Sequence, residues 1–286
     1  MMQRAPISDL EVLKLDRTVD AGEGLRVVQI SDCHLGEQEG ETLVGMDTDS
    51  SLDHVLRLIA EQQPAAQLLL ATGDLANHGS AAAYRRLQKK LSSLSPPCAW
   101  LAGNHDSRQL MVDTVGAAQL PRLVRVGNWA VLLLDSAVPG QVGGALGEEE
   151  LQRLPALLAA AGGAEHLLLC LHHPPLPVGC DWLDQQQLVD SDALFSLLAG
   201  EPRLRAITCG HVHQDFSARD PRLPAVDILA APSTCVQFAA NSADFKLDDC
   251  APGYRWFDLY SDGRFTTGVS RLEAVELAVD FNSSGY

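Results

Sequence analysis

Three features of the 286-residue sequence predict a layered α/β domain. Short apolar runs alternate with segments of helical periodicity through the first two thirds of the chain. The last third is mostly of β character. Polar clusters follow directly after five of the apolar runs, and the ends of strands are where open α/β sheets place their sites. We therefore expect one mixed sheet, or two sheets, with helices on the outside.

The first part of the chain contains three apolar runs that predict buried strands, over residues 25–30, 68–71 and 98–101. Between them, apolar residues recur three and four positions apart, which predicts amphipathic helices. The first helix is expected to begin at Ser50-Ser51, and the second at Ser80 with an end at Ser95-Pro96-Pro97. The apolar positions are Leu52, Val55, Leu56 and Ile59 in the first helix and Tyr84, Leu87, Leu91 and Leu94 in the second.

The middle of the chain has the pattern of a β-hairpin. Gly127-Asn128 is a turn-forming pair between apolar runs at 122–126 and 129–134. Beyond it, the periodicity predicts helices and further strands, and a second turn at Asp262-Gly263. The predicted helices cover residues 148–161 and 192–198, and the predicted strands cover 167–171, 204–208, 225–230, 256–260 and 265–269.

The charge limits what the protein can bind. The formal net charge is −16, and such a surface repels nucleic acid and anionic lipid. An anionic substrate must therefore be small or attracted locally, and a bound metal pair would supply that attraction. We expect no nucleic-acid partner and no membrane partner, and the oligomeric state cannot be inferred.

Targeting signals and cysteine spacing favour a cytoplasmic location. Charged residues interrupt the first 20 positions, so no signal peptide is expected, and no apolar run approaches the ~18 residues of a membrane span. The seven cysteines include no CxxC pair. A disulfide framework or zinc ribbon is therefore not indicated.

The five polar clusters that follow apolar runs together offer carboxylate, amide and imidazole groups. A pair of first-row dications is bound by this mixture of nitrogen and hard oxygen donors. One carboxylate must bridge the two ions, and Asp74 is the natural candidate because it stands alone after its strand. The clusters are Asp32-Cys33-His34, Gly73-Asp74, Gly103-Asn104-His105-Asp106, His172-His173 and Gly210-His211-Val212-His213.

The spacing of residues within these clusters also favours a shared metal site. Glycines precede Asp74, Asn104 and His211, and glycine lets the backbone turn sharply without steric cost. The D-x-H and H-x-H spacings would put both members of a pair on one side of an extended segment. By the same alternation, His173 should point away from its neighbour His172. A single D-x-H or H-x-H motif is weak, but five clusters in this order are specific.

The ordered set D-x-H, G-D, G-N-H-D, H-H and G-H-x-H resembles the calcineurin-like metallophosphoesterases over about residues 24–270. No position of the metal motif departs from the family pattern. The strings HHPPLPVGCDWLD at 172–184 and APSTCVQF at 231–238 are similar to the bacterial class III 3′,5′-cyclic-AMP phosphodiesterases. These two longer strings carry less weight than the five clusters.

The resemblance implies a four-layer α/β/β/α sandwich, with residues 1–23 as an N-terminal extension, 24–270 as the metallophosphoesterase domain and 271–286 as a C-terminal tail. It also implies two metal ions per chain, from iron, manganese or zinc. One ion would be held by Asp32, His34, Asp74 and His213, and the other by Asp74, Asn104, His172 and His211. The expected substrate-binding residues are His34, Asp74, Asn104, His105, His172 and His213.

These expectations lead to a hypothesis for function. A metal-bound hydroxide would attack the phosphorus of 3′,5′-cyclic AMP and give 5′-AMP, which would regulate intracellular cyclic AMP. His105 would act at the phosphate or the leaving oxygen, with Asp106 holding its imidazole in the right tautomer. One alternative is a broad phosphodiesterase for glycerophosphodiesters or 2′,3′-cyclic nucleotides. A second, of another class, is a non-catalytic interaction module on the same fold.

Overall fold

The computed structural model describes residues 11–15 and 24–285, which fold into two β-sheets packed face to face with helices on both outer faces. This is the α/β/β/α layering that the resemblance implies. The strands are β1 (Val12–Leu15), β2 (Leu25–Ile30), β3 (Thr42–Leu43), β4 (Met46–Asp47), β5 (Leu68–Thr72), β6 (Cys98–Leu101), β7 (Leu123–Val126), β8 (Trp129–Leu133), β9 (His166–Cys170), β10 (Leu204–Cys209), β11 (Phe216–Ala218), β12 (Asp227–Ala230), β13 (Gln237–Phe238), β14 (Leu247–Asp248), β15 (Gly253–Leu259) and β16 (Phe265–Arg271). The helices are α1 (Thr48–Gln62), α2 (Ala81–Leu91), α3 (Arg108–Val115), α4 (Gly147–Ala160), α5 (Asp181–Asp184), α6 (Ser191–Leu198) and a short 3₁₀ helix (Ala117–Gln119).

Both sheets are mixed, and their central strands are parallel. One sheet has the order β16-β15-β2-β5-β6, in which β2, β5 and β6 are parallel. The other has the order β1-β7-β8-β9-β10-β12-β11, in which β8, β9, β10 and β12 are parallel. The carboxyl ends of parallel strands meet at one edge of a sheet. The loops after β2, β5, β6, β9 and β10 are therefore positioned to build a common site.

Three apolar clusters hold the layers together. The inner cluster contains residues of both sheets, such as Val27 and Leu70 from one and Val131 and Leu168 from the other. A second cluster joins the five-stranded sheet to α1 and α2, and a third joins the seven-stranded sheet to α4 and α6. Every residue of β5, β8 and β9 is buried, as expected for strands covered on both faces.

The structure confirms the predicted strands and the hairpin. In β7 and β8, Val126 pairs with Trp129 across the predicted Gly127-Asn128 turn. Ser80 caps α2 as expected and accepts a hydrogen bond from the Ala83 N–H. The start predicted for α1 was wrong, because Asp47 is the cap and its carboxylate accepts from the Ser50 N–H at 2.9 Å.

Several described elements were not predicted, among them helix α3 and strand β1. Helix α3 has only one buried residue, Met111, so its sequence lacks the apolar stripe by which α1 and α2 were recognised. Strand β1 lies within the first 23 residues and pairs with β7 in parallel register.

Near the other end of the chain, Leu272 is buried and the Asp280 N–H donates to the Val44 carbonyl at 2.7 Å. The exact boundaries of the N-terminal extension, the metallophosphoesterase domain and the C-terminal tail stay a prediction.

No helix among the described residues is long and apolar enough to span a bilayer.

A buried amide on β2 links the two sheets just below the converging loops. The Gln29 Nε2 atom donates to the Thr72 hydroxyl at 2.9 Å and to the Cys209 carbonyl at 3.0 Å. Its Oε1 atom accepts from the Thr208 hydroxyl at 2.6 Å. Three strands are thereby tied together: β2 and β5 of one sheet and β10 of the other.

We expect Gln29→Leu to lower the free energy of unfolding by about 1–3 kcal/mol, because the Thr208 hydroxyl is left buried without its acceptor. The measurement is chemical denaturation of both proteins. The double variant Gln29→Leu, Thr208→Val removes both partners and should recover part of the loss. Equal stability of the wild type and Gln29→Leu would contradict this account of the network.

Candidate metal centre

The structure brings together the side chains that the sequence analysis selected as metal ligands. Asp32 and Asp74 follow β2 and β5 in one sheet, whereas His172 and His211 follow β9 and β10 in the other. The five-stranded sheet therefore contributes both carboxylates, one amide and one imidazole, and the seven-stranded sheet contributes the other three imidazoles. The complete set, all of it buried except the half-buried Asn104, is Asp32, His34, Asp74, Asn104, His172, His211 and His213.

One half of the site is formed by Asp32, His34 and His213, with Asp74 beside them. The Nε2 atoms of His34 and His213 face each other at 3.2 Å. The His213 Nε2 atom lies 3.5 Å from Asp32 Oδ1, and the His34 Nε2 atom lies 3.7 Å from Asp74 Oδ2. Two imidazole nitrogens and two carboxylates thus converge on a small volume, which is a donor set that suits a first-row dication.

The other half joins the same Asp74 to residues of the facing sheet. The His172 Nε2 atom lies 3.2 Å from Asp74 Oδ2, and the His211 Nδ1 atom lies 3.0 Å from Asn104 Oδ1. Asp74 therefore contacts both halves, and it lies closer to His172 than Asp32 does, whose Oδ1 atom is 4.0 Å from the same nitrogen. Groups whose ligand atoms all lie within 4.8 Å of one another include Asp32, His34 and His213, and Asp32, Asp74 and His172.

Two buried nitrogen atoms support the fit of a cation to this site. Among the described residues, no group forms a hydrogen bond with Nε2 of His211, and Asp74 Oδ2, 3.2 Å from Nε2 of His172, lies outside hydrogen-bonding geometry. A buried polar atom without a partner is costly. A metal ion bound to these nitrogens would remove that cost, so the residues present fit a metal group.

The protonation of the site also favours a cation. Burial lowers the pKa of His34 to about 3 and lowers the pKa of His211 as well, so both imidazoles are neutral, the form that binds metal. Burial raises the pKa of Asp74, but its interactions with His172 and His34 outweigh burial and lower it well below the usual value. Burial lowers the pKa of His172, and the charge of Asp74 reverses this and raises it to about 9. A dication would take the place of the proton that His172 and Asp74 attract.

Outer hydrogen bonds orient the imidazoles. The His172 Nδ1 atom bonds to the Thr72 carbonyl at 2.8 Å, and the His213 Nδ1 atom bonds to the Val236 carbonyl at 2.7 Å. A carbonyl accepts only from an N–H, so each Nδ1 carries a proton and each Nε2 faces the centre, where a bound cation would take its lone pair. The Asp32 carboxylate accepts from the His211 N–H at 3.0 Å, which connects the two sheets directly.

The backbone at the site is not extended, contrary to the geometry expected from the D-x-H and H-x-H spacings. Five of the seven residues have a left-handed backbone, which is uncommon outside glycine. Strain of this kind persists only where surrounding structure fixes it, and it is concentrated at functional sites. The φ angles are 56° at Asp32, 45° at His34, 50° at Asp74, 69° at His211 and 50° at His213.

Two of the motif glycines are required by close approach. A Cβ at Gly103 would lie 2.2 Å from Asp74 Oδ1, and a Cβ at Gly210 would lie 2.8 Å from Asp32 Oδ2. Both distances are far below van der Waals contact. The glycines before Asn104 and His211 therefore allow the two carboxylates to lie against neighbouring backbone, beyond the turning freedom inferred from the sequence.

His105 and Asp106 have separate hydrogen-bonding environments. The His105 Nδ1 atom bonds to the Asn77 carbonyl at 2.8 Å, so this carbonyl fixes the tautomer that we expected Asp106 to fix. The Asp106 carboxylate instead accepts from the N–H groups of Leu75 and Ala76 at 3.0 Å, and it accepts further bonds from Gly103 and Tyr84. Asp106 ties the Asp74 and Asn104 loops together, and its catalytic role stays a prediction.

His173 does not point away from its neighbour as the alternation predicted. Its ring centroid lies 4.9 Å from that of His172 and 4.7 Å from that of His211. Its Nδ1 atom contacts the Ser136 hydroxyl at 2.9 Å, and its Nε2 atom contacts the Val142 carbonyl at 3.1 Å. Both ring nitrogens are therefore used by protein groups, as in the structural role that we had weighed against substrate contact.

A cleft of about 300 Å³ opens beside the centre. Its lining includes Asp74, Asn104, His105 and His211 at one end and aromatic side chains at the other. Among the residues not selected from the sequence, Asn77 contacts His34 Nδ1 at 3.4 Å through its Oδ1 atom, and Phe238 stacks on His213 at 4.1 Å. Only their positions inside the motif-bearing loops could have indicated them.

The fold and the site define a phosphoesterase class. A family model described as "Calcineurin-like phosphoesterase" matches residues 25–215, and the chain belongs to this family. Solved structures agree on the fold: a dimetal phosphatase from Danio rerio has a TM-score of 0.65 at 14% identity, and the match covers 91% of this chain and 100% of that one. A purple acid phosphatase from yellow lupin has a TM-score of 0.63 at 13% identity, with coverage of 86% and 51%.

Curated proteins that are similar to this chain have names that specify a substrate. The chain is 46% identical over 261 residues to the 3′,5′-cyclic adenosine monophosphate phosphodiesterase CpdA of Pseudomonas aeruginosa, which covers 91% of this chain and 94% of the relative. It is 42% identical to the protein of the same name from Escherichia coli K12, with coverage of 93% and 97%. A 3′,5′-cyclic-nucleotide phosphodiesterase of Nostoc is 35% identical, with coverage of 87% and 92%.

Proposed function

We propose that this protein is a metal-dependent phosphodiesterase that hydrolyses 3′,5′-cyclic AMP to 5′-AMP. The observation that carries the proposal is the convergence of two buried carboxylates, an amide and four imidazoles from both sheets at one centre beside a cleft. The curated relatives that share most of the chain act, by their names, on this cyclic nucleotide. A cytoplasmic location and a role in limiting cyclic AMP stay predictions.

The cofactor in this proposal is a pair of divalent metal ions, and iron, manganese and zinc all suit the donor set. Asp74 would be shared by the two ions, because its carboxylate lies near His34 of one half of the site and near His172 of the other. When bound, the ions supply a nucleophile from water at neutral pH and neutralise charge on the phosphate. Asp32, His34 and His213 complete one ligand set, and Asn104, His172 and His211 complete the other.

The chain itself contributes orientation and proton transfer. Asn104 and His105 line the cleft beside Asp74, where they can hold the non-bridging oxygens of a phosphodiester. Because Nδ1 of His105 donates to the Asn77 carbonyl, Nε2 is the atom left to face the leaving 3′ oxygen, and it can give a proton there only from the doubly protonated imidazolium. His34, Asp74, His172 and His213 would act on the phosphate through the ions that they hold, and their direct contact with the substrate stays a prediction.

The alternatives differ in substrate or in class. A broad phosphodiesterase would use the same centre on glycerophosphodiesters or 2′,3′-cyclic nucleotides. A non-catalytic interaction module has no need of His105 at the cleft or of the full ligand set, which this chain retains. The net charge of −16 disfavours long nucleic acid, which is usually bound in a basic groove.

The substrate is tested by product analysis on metal-stripped protein with defined metals added back. We expect 3′,5′-cyclic AMP to give 5′-AMP, with a kcat/KM above those for 2′,3′-cyclic AMP and a glycerophosphodiester. If kcat/KM is highest for either of these two compounds, the protein would instead be a broad phosphodiesterase. Absence of turnover on all three, with metal bound, would favour the interaction module.

We expect Asp74→Asn to lose at least one metal ion per chain and nearly all turnover, because the bridging charge is removed from both halves of the site. Metal content of the purified protein is the direct measurement. Asp53→Asn is the matched control, since Asp53 is an exposed aspartate of α1. Unchanged metal content in Asp74→Asn would contradict the bridging role.

We expect His105→Ala to retain both metals and to lose turnover by about 10²–10⁴-fold, the range typical of a general acid. Metal analysis and kcat for cyclic AMP are measured together, with His54→Ala as the control because His54 is a half-buried histidine of α1 outside the cleft lining. An emptied metal site in His105→Ala would instead make His105 part of the binding scaffold.

A further inference from the structure

One wall of the cleft is aromatic and takes no part in the proposed metal centre. Trp182, Phe238 and Phe245 line it. The indole of Trp182 packs at steep angles against both phenyl rings, with centroids 5.0 Å from Phe238 and 5.3 Å from Phe245. Trp182 is only half-buried, so part of this cluster faces the space that a ligand would occupy.

The aromatic wall lies close to the phosphate end of the cleft. Phe238 stacks on the imidazole of His213 with a centroid distance of 4.1 Å and an interplanar angle of 11°. Together with the 5.0 Å between Phe238 and Trp182, this places the indole no more than about 9 Å from the His213 ring. A nucleotide whose phosphate sits at the centre can therefore reach Trp182 with its base.

Trp182 is held in place before any ligand binds. It lies in α5, and the Asp184 carboxylate at the end of that helix accepts from the Val178 N–H at 2.6 Å and the Gly179 N–H at 3.2 Å. The Asp181 N–H donates to the Ser242 carbonyl at 3.1 Å. A platform fixed in this way loses little conformational entropy on binding.

The indole nitrogen argues against a role in packing alone. Nε1 of Trp182 is buried and has no hydrogen-bond partner among the described residues. Burying an N–H without a partner costs free energy, and a phenylalanine would fill an apolar wall without that cost. The additional aromatic surface of the indole therefore needs another explanation.

We propose that Trp182 is the base platform of this enzyme: the heterocyclic base of a nucleotide substrate stacks on its indole while the phosphate occupies the metal end of the cleft. This inference rests on the proposed function. It concerns the base, which is the group by which a nucleotide differs from other phosphodiesters. Stacking grows with the overlap of aromatic surface, so Trp182 favours purine over pyrimidine cyclic nucleotides.

The test compares KM and kcat for Trp182→Leu, Trp182→Phe and the wild type on three substrates. These are 3′,5′-cyclic AMP, 3′,5′-cyclic CMP and a methyl ribofuranoside 3′,5′-cyclic phosphate, in which a methoxy group replaces the base. Trp256→Leu is the matched control, because Trp256 lies on β15 and is not part of the cleft lining. Metal content is measured for every variant.

We expect Trp182→Leu to raise KM for cyclic AMP by about tenfold or more, to raise KM for cyclic CMP less, and to leave the base-free substrate and the metal content unchanged. Trp182→Phe should be intermediate, and it carries the comparison if the leucine variant fails to fold. An unchanged KM for cyclic AMP, or an equal rise in KM for the base-free substrate, would overturn the role of Trp182 as a base platform but not the proposed function. Turnover of the base-free diester by the wild type without turnover of either nucleotide would overturn the proposed function as well.

Discussion

The structure depends on the burial of two carboxylates side by side where neighbouring strands of one sheet end. Asp32 is 0% exposed and Asp74 is 2% exposed, and two negative charges in such a place must be compensated. Much of the compensation comes from the facing sheet: His172 lies against Asp74, His213 lies against Asp32, and the His211 backbone N–H donates to Asp32. The two sheets are therefore joined at this edge by charge as well as by the apolar cluster between them, and the same charges make the edge a place for cations.

The backbone at this edge is strained in a consistent way. Five of the seven proposed ligand residues adopt left-handed conformations, which cost free energy for residues other than glycine. The surrounding contacts over-determine these conformations: the Gln29 network fixes three strands below the site, and Asp106 ties two loops through backbone N–H groups. A centre held in this way is preorganised, so ligand atoms need not reorganise when a cation or a phosphate arrives.

The acidic surface and the cleft have complementary roles. A net charge of −16 repels polyanions, whereas the proposed ions would attract one small phosphodiester into a cleft of about 300 Å³. The cleft is polar at the end with Asp74 and His105 and aromatic at the end with Trp182 and Phe245. A nucleotide is divided in the same way, into a polar phosphate and a flat aromatic base. This agrees with the substrate in the names of the curated relatives.

The sequence by itself determined the main strands, the hairpin, the layered class and the polar residues that the structure brings together at one site, because each depends on local periodicity or on motifs that follow buried strands. It did not determine the start of α1, the presence of α3, or the left-handed geometry at Asp32 and His211, since these depend on capping and on contacts between distant loops. Only the tertiary structure decided that Asn77 rather than Asp106 holds His105, that His173 is held by Ser136 and the Val142 carbonyl, and that Phe238 lies on His213. Their partners are separated from them in sequence by 23 or more residues, so no local pattern records the contact.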